Sequence, residues 1–139
     1  MSERRYNLTF AELLDRLSIV QLKAIRTPYK EQYEGERVDI EHDLDLLMKD
    51  RSFTAYDIRC FMLLMHVNTV IWDNESFVRE GKNLGVAETA QRLRFTHTLN
   101  GVRNQIKNVL NVPFDQRQEA KADCLASDLP EELGNWSVL

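Results

Sequence analysis

The stretch RCFMLLMHVNTVIWDNE, residues 59–75, decides how the chain is read. It opens on an almost continuous apolar run, as a segment buried on every side would. Yet it carries Arg59, His66, Asn68, Thr69, Asp73 and Glu75. On a helical wheel of about 100° per residue these interruptions separate into two lines. Arg59, His66 and Asp73, spaced seven apart, share one stripe with Thr69 and Glu80 beside it. Asn68 and Glu75 form a second line on the far side, with Asp57. Phe61, Leu64, Met65, Val67, Ile71 and Trp72 fill the rest. The pattern predicts a helix opened by Thr54-Ala55-Tyr56-Asp57, running to about residue 80 and buried over most of its circumference. Its polar groups then need partners, because an unpaired buried polar group is costly. The C-terminal half of this helix is expected to border a site, with His66 in a structural role.

The flanking sequence has the same helical period. Thr9-Phe10-Ala11-Glu12 has the form of a capping box, in which a Thr hydroxyl bonds a free backbone N–H and the Glu reaches back. It opens a helix over about 10–26 with Phe10, Leu13, Leu14, Leu17, Val20, Ala24 and Ile25 on one broad face. Thr27-Pro28 ends it, since a residue before Pro is pushed out of helical geometry. Residues 28–35, PYKEQYEG, read as a polar connector closed by Gly35. A second helix over about 36–50 carries Val38, Ile40, Leu44, Leu47 and Met48 opposite an acidic side. After a turn from Gly81 to Gly85, a fourth helix over about 87–110 shows a seam of Phe95, Leu99, Val102, Ile106 and Val109 or Leu110. Gly101 inside it implies close packing, and Pro113 closes it. Gln116 to Ala126 has the pattern of a short helix. Ser127 to Leu139 reads as an irregular tail with Leu129, Leu133, Trp136 and Leu139 available to dock.

The fold class expected is therefore all-α: one four-helix bundle-like domain over residues 1–139, with a long central helix and an irregular C-terminal tail. Its core spans about 9–112 and its tail about 113–139. At 139 residues the chain is long enough to bury a core. A net charge of −4 argues against general nucleic-acid binding, which calls for a basic face. No run approaches the roughly 20 apolar residues of a membrane span, and two cysteines, Cys60 and Cys124, make no disulfide framework. The setting expected is reducing and cytoplasmic, that of a host cell if the gene is viral.

Three groups of polar residues are candidates for chemistry. On the first helix, Glu12, Asp15, Arg16 and Lys23 lie opposite the apolar face, yet Ile19 sits among them and Leu22 beside Asp15. That implies partial burial against something else, such as a second subunit. On the fourth helix, Arg92, Thr96, Asn100, Arg103 and Lys107 flank the seam. Arg103 lies nearest its edge, and a guanidinium fork suits phosphate or carboxylate. The third group is the end of the 55–80 helix. Glu12 and Asp15 make one ExxD pair, as in Mg²⁺ sites built from carboxylates on adjacent turns. His42, His66 and His97 show no zinc spacing, and there is no Gly-rich phosphate loop, nucleophile elbow or CxxC.

Two segments resemble a small family of uncharacterised all-helical bacterial proteins, a domain of unknown function often encoded near glycan-biosynthesis genes. AELLDRLSIVQLKAIR, residues 11–26, is similar to that family's opening helix. VNTVIWDNESF through LNGVRNQIKNVLN, within residues 67–111, is similar to its later helices, with Asn, Trp, Asp and Glu in the first and Asn with basic residues in the second. The resemblance implies a helical fold and draws residues of three helices into one set. The candidate ligand-binding residues are Glu12, Asp15, Arg16, Lys23, Asn68, Trp72, Asp73, Asn100, Arg103 and Lys107. Glu75 accompanies them in the family pattern. The expected function is non-catalytic binding of a small anionic or nucleotide-like ligand by a homo-oligomer, in the manner of a sequestering sponge. The arginines would meet negative charge, and Trp72 or a tail aromatic would stack. No cofactor is expected. An alternative is a metal-dependent nucleotide pyrophosphohydrolase using Mg²⁺ on Glu12, Asp15 and Asp73, and another is a protein–protein interaction module.

Overall fold

The computed structural model describes residues 7–49, 51–81, 84–114 and 131–138. Among these residues it is an all-α bundle of four α-helices, and the described end of its C-terminal tail is a short 3-10 turn, Glu131–Trp136, followed by irregular chain. The helices are α1 (Phe10–Arg26), α2 (Lys30–Met48), α3 (Ala55–Glu80) and α4 (Val86–Asn111). They form two antiparallel hairpins, α1 with α2 and α3 with α4, and α1 also lies against both α3 and α4. The expected long helix has a partner of equal length, since α3 and α4 each run 26 residues.

The helix ends follow local chemistry. Thr9 caps α1, its Oγ1 accepting from the Glu12 N–H at 3.2 Å. At the other end Thr27 turns extended before Pro28, and its N–H and hydroxyl both donate to the Lys23 carbonyl. Thr54 and Asp57 make a complete capping box on α3. Gly81 ends that helix at φ 59°, a left-handed conformation that glycine adopts without Cβ strain.

The second helix corrects one expectation. Residues 28–35 are not a connector, because α2 begins at Lys30, directly behind Pro28-Tyr29. Glu31 in its first turn favours the positive end of the helix dipole. Tyr33 packs on the core, with the Lys23 ammonium 5.5 Å from its ring centre. That contact draws the early turns of α2 onto α1. Gly35 therefore sits inside a helix, and a Cβ built there meets nothing within 4 Å. Val38, expected on the buried side, is exposed, while Ile40 and Leu44 are buried.

The core is Phe10, Leu13, Val20, Ile40, Leu44, Leu64, Val67, Ile71, Leu99, Val102, Ile106 and Leu110, with Cys60 among them. Phe10 anchors an aromatic group with Phe53, Phe61 and Phe114, the last at 4.3 Å between ring centres. Burial pushes the Cys60 thiol pKa above its ordinary value. Gly101 is buried on α4, in keeping with the close packing expected of a glycine inside that helix.

Polar side chains tie the helices at set levels. Asn111, the last residue of α4, accepts from the Ala11 N–H at 2.9 Å and donates to Thr9 Oγ1 at 3.1 Å. The end of the fourth helix thus completes the cap of the first. Near the α3–α4 turn, buried Asn74 donates to Thr96 Oγ1 at 2.6 Å and to the Arg92 carbonyl at 2.8 Å. Arg92 returns a bond to Asn74 Oδ1 and lies 3.8 Å from the Phe77 ring centre.

The α3 helix is not buried over most of its circumference. Ile58 is 51% and Met62 69% exposed, and Arg59, His66 and Asp73 all face solvent. The apolar run implies all-round burial, but the bundle covers only the side that carries Cys60, Leu64, Val67 and Ile71. The tail docks beside this side of α3. The Trp136 ring lies 5.0 Å from that of His66, Val138 is buried, and Tyr56 Oη donates to the Val138 carbonyl at 2.5 Å. The expected helix over Gln116–Ala126, Cys124, Leu129 and Leu139 lie outside the described residues, as does the Leu133 side chain. Among the described residues no helix is long and apolar enough to cross a membrane.

Two substitutions test this description by urea denaturation. Gly35→Ala fills open space in a helix interior and should raise stability by about 1 kcal/mol. Asn111→Ala strands the Ala11 N–H and should lower it by about 2 kcal/mol.

Candidate functional site

Asp15 follows Leu13-Leu14 on α1, and its side chain is only 7% exposed. Burial of a carboxylate demands donors, and the neighbouring helices supply them. From α4, Arg103 donates through Nε to Oδ1 at 2.9 Å and through Nη2 to Oδ2 at 2.5 Å, a two-pronged fork. From α3, Asn68 Nδ2 donates to Asp15 Oδ1 at 2.8 Å and to Ser18 Oγ at 2.7 Å. Ser18 in turn donates to the Asp15 carbonyl. One carboxylate is thereby gripped from two other helices. Arg103 retains a longer contact, 3.5 Å from Nη1 to Asn100 Oδ1, and its side chain stays 26% exposed.

The exposed part of Arg103 faces a cleft of about 500 Å³. Its walls are Leu8, Glu12, Asp15, Arg16, Ile19, Val20 and Lys23 from the start of the chain and α1, Glu36 from α2, and Arg103 and Lys107 from α4. Helical spacing explains the α1 wall, since residues 12, 15, 16, 19 and 23 fall on one face. The antiparallel course of α4 explains the rest, because Asn111 meets Ala11 and Arg103 meets Asp15, which leaves Lys107 between those levels. The half-burial of Ile19 thus has an intramolecular cause in the cleft between α1, α2 and α4. Arg16 reaches Glu36 at 3.8 Å, a long and exposed ion pair of little energetic weight.

The cleft carries four cations against three carboxylates, and Arg103 is matched with Asp15. What remains is a mixed, slightly basic lining with an aliphatic strip of Leu8, Ile19 and Val20. Such a lining can take a phosphate or carboxylate on its cations and hydroxyls on Glu12 and Glu36.

Of the residues singled out from sequence, Glu12, Asp15, Arg16, Lys23, Arg103 and Lys107 line this cleft. Asn68 stands behind it, holding Asp15, and Asn100 touches Arg103 from one turn away. Trp72 and Asp73 are elsewhere. Asp73 pairs with Arg26 on an exposed edge, and Trp72 is half-buried on α3, outside the cleft lining. Consequently the Glu12, Asp15 and Asp73 carboxylates do not converge, and among the described residues no three His, Cys, Asp or Glu side chains gather as a metal-binding group. Sequence reasoning missed Ser18, one turn after Asp15, where helical spacing alone marks it. It also missed Glu36, which enters only because α2 folds back along α1.

Arg103→Ala should leave Asp15 buried beside Asn68 alone among the bonded side-chain donors described above, lowering stability by about 3 kcal/mol. In a double-mutant cycle read by denaturation, Asp15→Ala with Arg103→Ala should cost clearly less than the sum of the two single changes.

Compared with protein-family models, with curated proteins and with solved structures, the chain matches none.

Proposed function

We propose that this protein binds a small anionic, nucleotide-like ligand in the cleft between α1, α2 and α4 without transforming it. The observation that carries this reading is the state of Arg103. Its guanidinium is held in place by Asp15 before any ligand arrives, with part of its fork turned to an open cleft of about 500 Å³. A cation fixed in advance loses little freedom on binding an anion, which favours recognition. Arg16, Lys23 and Lys107 add positive charge on the same walls, and Glu12 and Glu36 are suited to hydroxyls of a sugar. Trp72 lies outside the cleft, so an apolar part of the ligand would lie along Leu8, Ile19 and Val20 instead of stacking. Holding a ligand without turnover is the behaviour of a sequestering protein. We place it in a reducing, cytoplasmic setting, in keeping with the free, buried Cys60.

Isothermal titration against nucleotide and sugar-nucleotide panels tests the proposal. Binding is expected to weaken as salt rises, since it relies on charge. Lys23→Ala, a change at the cleft wall, should weaken it roughly tenfold, the scale of one charge-assisted hydrogen bond. Silence across both panels would remove the basis for this function.

A further inference from the structure

On the solvent side of α3, Ile58, Met62, Met65, Thr69 and Trp72 follow one another at alternating steps of four and three residues. That spacing keeps one line of side chains along a helix facing a second helix. Ile58 and Met62 are 51% and 69% exposed, while Met65, Thr69 and Trp72 are half-buried. Thr69 bonds its hydroxyl back to the Met65 carbonyl at 2.8 Å, so its polar group is satisfied within its own helix. Apolar side chains in this arrangement form a seam, which the described residues leave open at Ile58 and Met62 and partly cover at Met65, Thr69 and Trp72.

We infer that this seam is covered by a second copy of the chain, with the two α3 helices antiparallel about a two-fold axis near His66. The charges beside the seam select that occupant. Arg59, His66 and Asp73 run along one edge, seven residues apart and opposite in sign at the two ends. An antiparallel two-fold brings Arg59 to Asp73 of the second copy, twice over, and His66 to its own counterpart. The same rotation places Met62 near Trp72 of the second copy, a favourable sulfur–aromatic pairing. A parallel two-fold would carry this edge to opposite sides of the interface, where Arg59 and Asp73 could not meet. The edge is thus complementary to itself in one orientation, as an isologous interface requires. Its groups remain exposed while making contacts in their own chain: Asp73 keeps 54% of its side chain exposed beside Arg26, Arg59 lies over the Tyr56 ring at 5.3 Å, and His66 lies on one side against Trp136.

Sedimentation equilibrium over a range of protein concentrations tests the pairing. The wild-type chain is expected to dimerise, and Met62→Glu to sediment as a monomer. Met62 is exposed, so unchanged circular dichroism and melting would separate lost pairing from lost folding. Arg59→Glu should weaken dimerisation roughly tenfold or more by setting like charges together. Adding Asp73→Arg to it should restore dimerisation. A monomeric wild-type protein overturns the inference, and so does a dimer that Met62→Glu leaves intact. A double variant as weak as Arg59→Glu overturns the antiparallel register.

Discussion

The buried carboxylate of Asp15 is the constraint around which the bundle is arranged. A carboxylate removed from water needs several well-aimed donors, and one helix cannot supply them. The donors come from Arg103 on α4 and Asn68 on α3. Satisfying one side chain of α1 therefore sets the height of two other helices against it. Apolar packing alone would permit neighbouring registers, because the hydrophobic effect has little directional preference. The Asp15 fork has one arrangement in which its bonds are made.

Two further ties repeat this logic at other levels. Asn111 joins the end of α4 to the start of α1, and Asn74 joins α3 to α4 close to their turn. Between these polar ties the core is filled by Leu, Val, Ile and Phe. The same register that satisfies Asp15 also turns the remaining edge of Arg103 outward, beside Lys107 and opposite Arg16. The tie and the candidate site are therefore one feature: the pair that holds the helices together also presents a cation at a cleft wall.

Much of the fold was legible because its signals are local. Thr9 and Thr54 mark helix starts, Thr27-Pro28 marks a stop, and Gly81 marks an end that needs a left-handed residue. The start of α2 was misread because Gly35 looks like a turn residue, whereas its place in an open, solvent-facing helix costs only about 1 kcal/mol. The packing of Tyr33 against α1, which offsets that cost, is a contact between helices and leaves no mark in the local sequence. The run from Arg59 to Glu75 was misread for a related reason. An apolar helix of a monomeric bundle and one with a seam left open have the same composition.

The candidate site divides along the same line. Helical period alone put Glu12, Asp15, Arg16 and Lys23 on one face of α1, and Arg103 and Lys107 on one flank of α4, because spacing along a helix fixes direction around it. Which faces meet is decided by packing between residues far apart in the chain. The tertiary structure brought Asp15 to Arg103, folded Glu36 into the wall and sent Asp73 to Arg26 instead. Direction around a helix is a property of the sequence, whereas convergence depends on the heights and rotations at which whole helices pack.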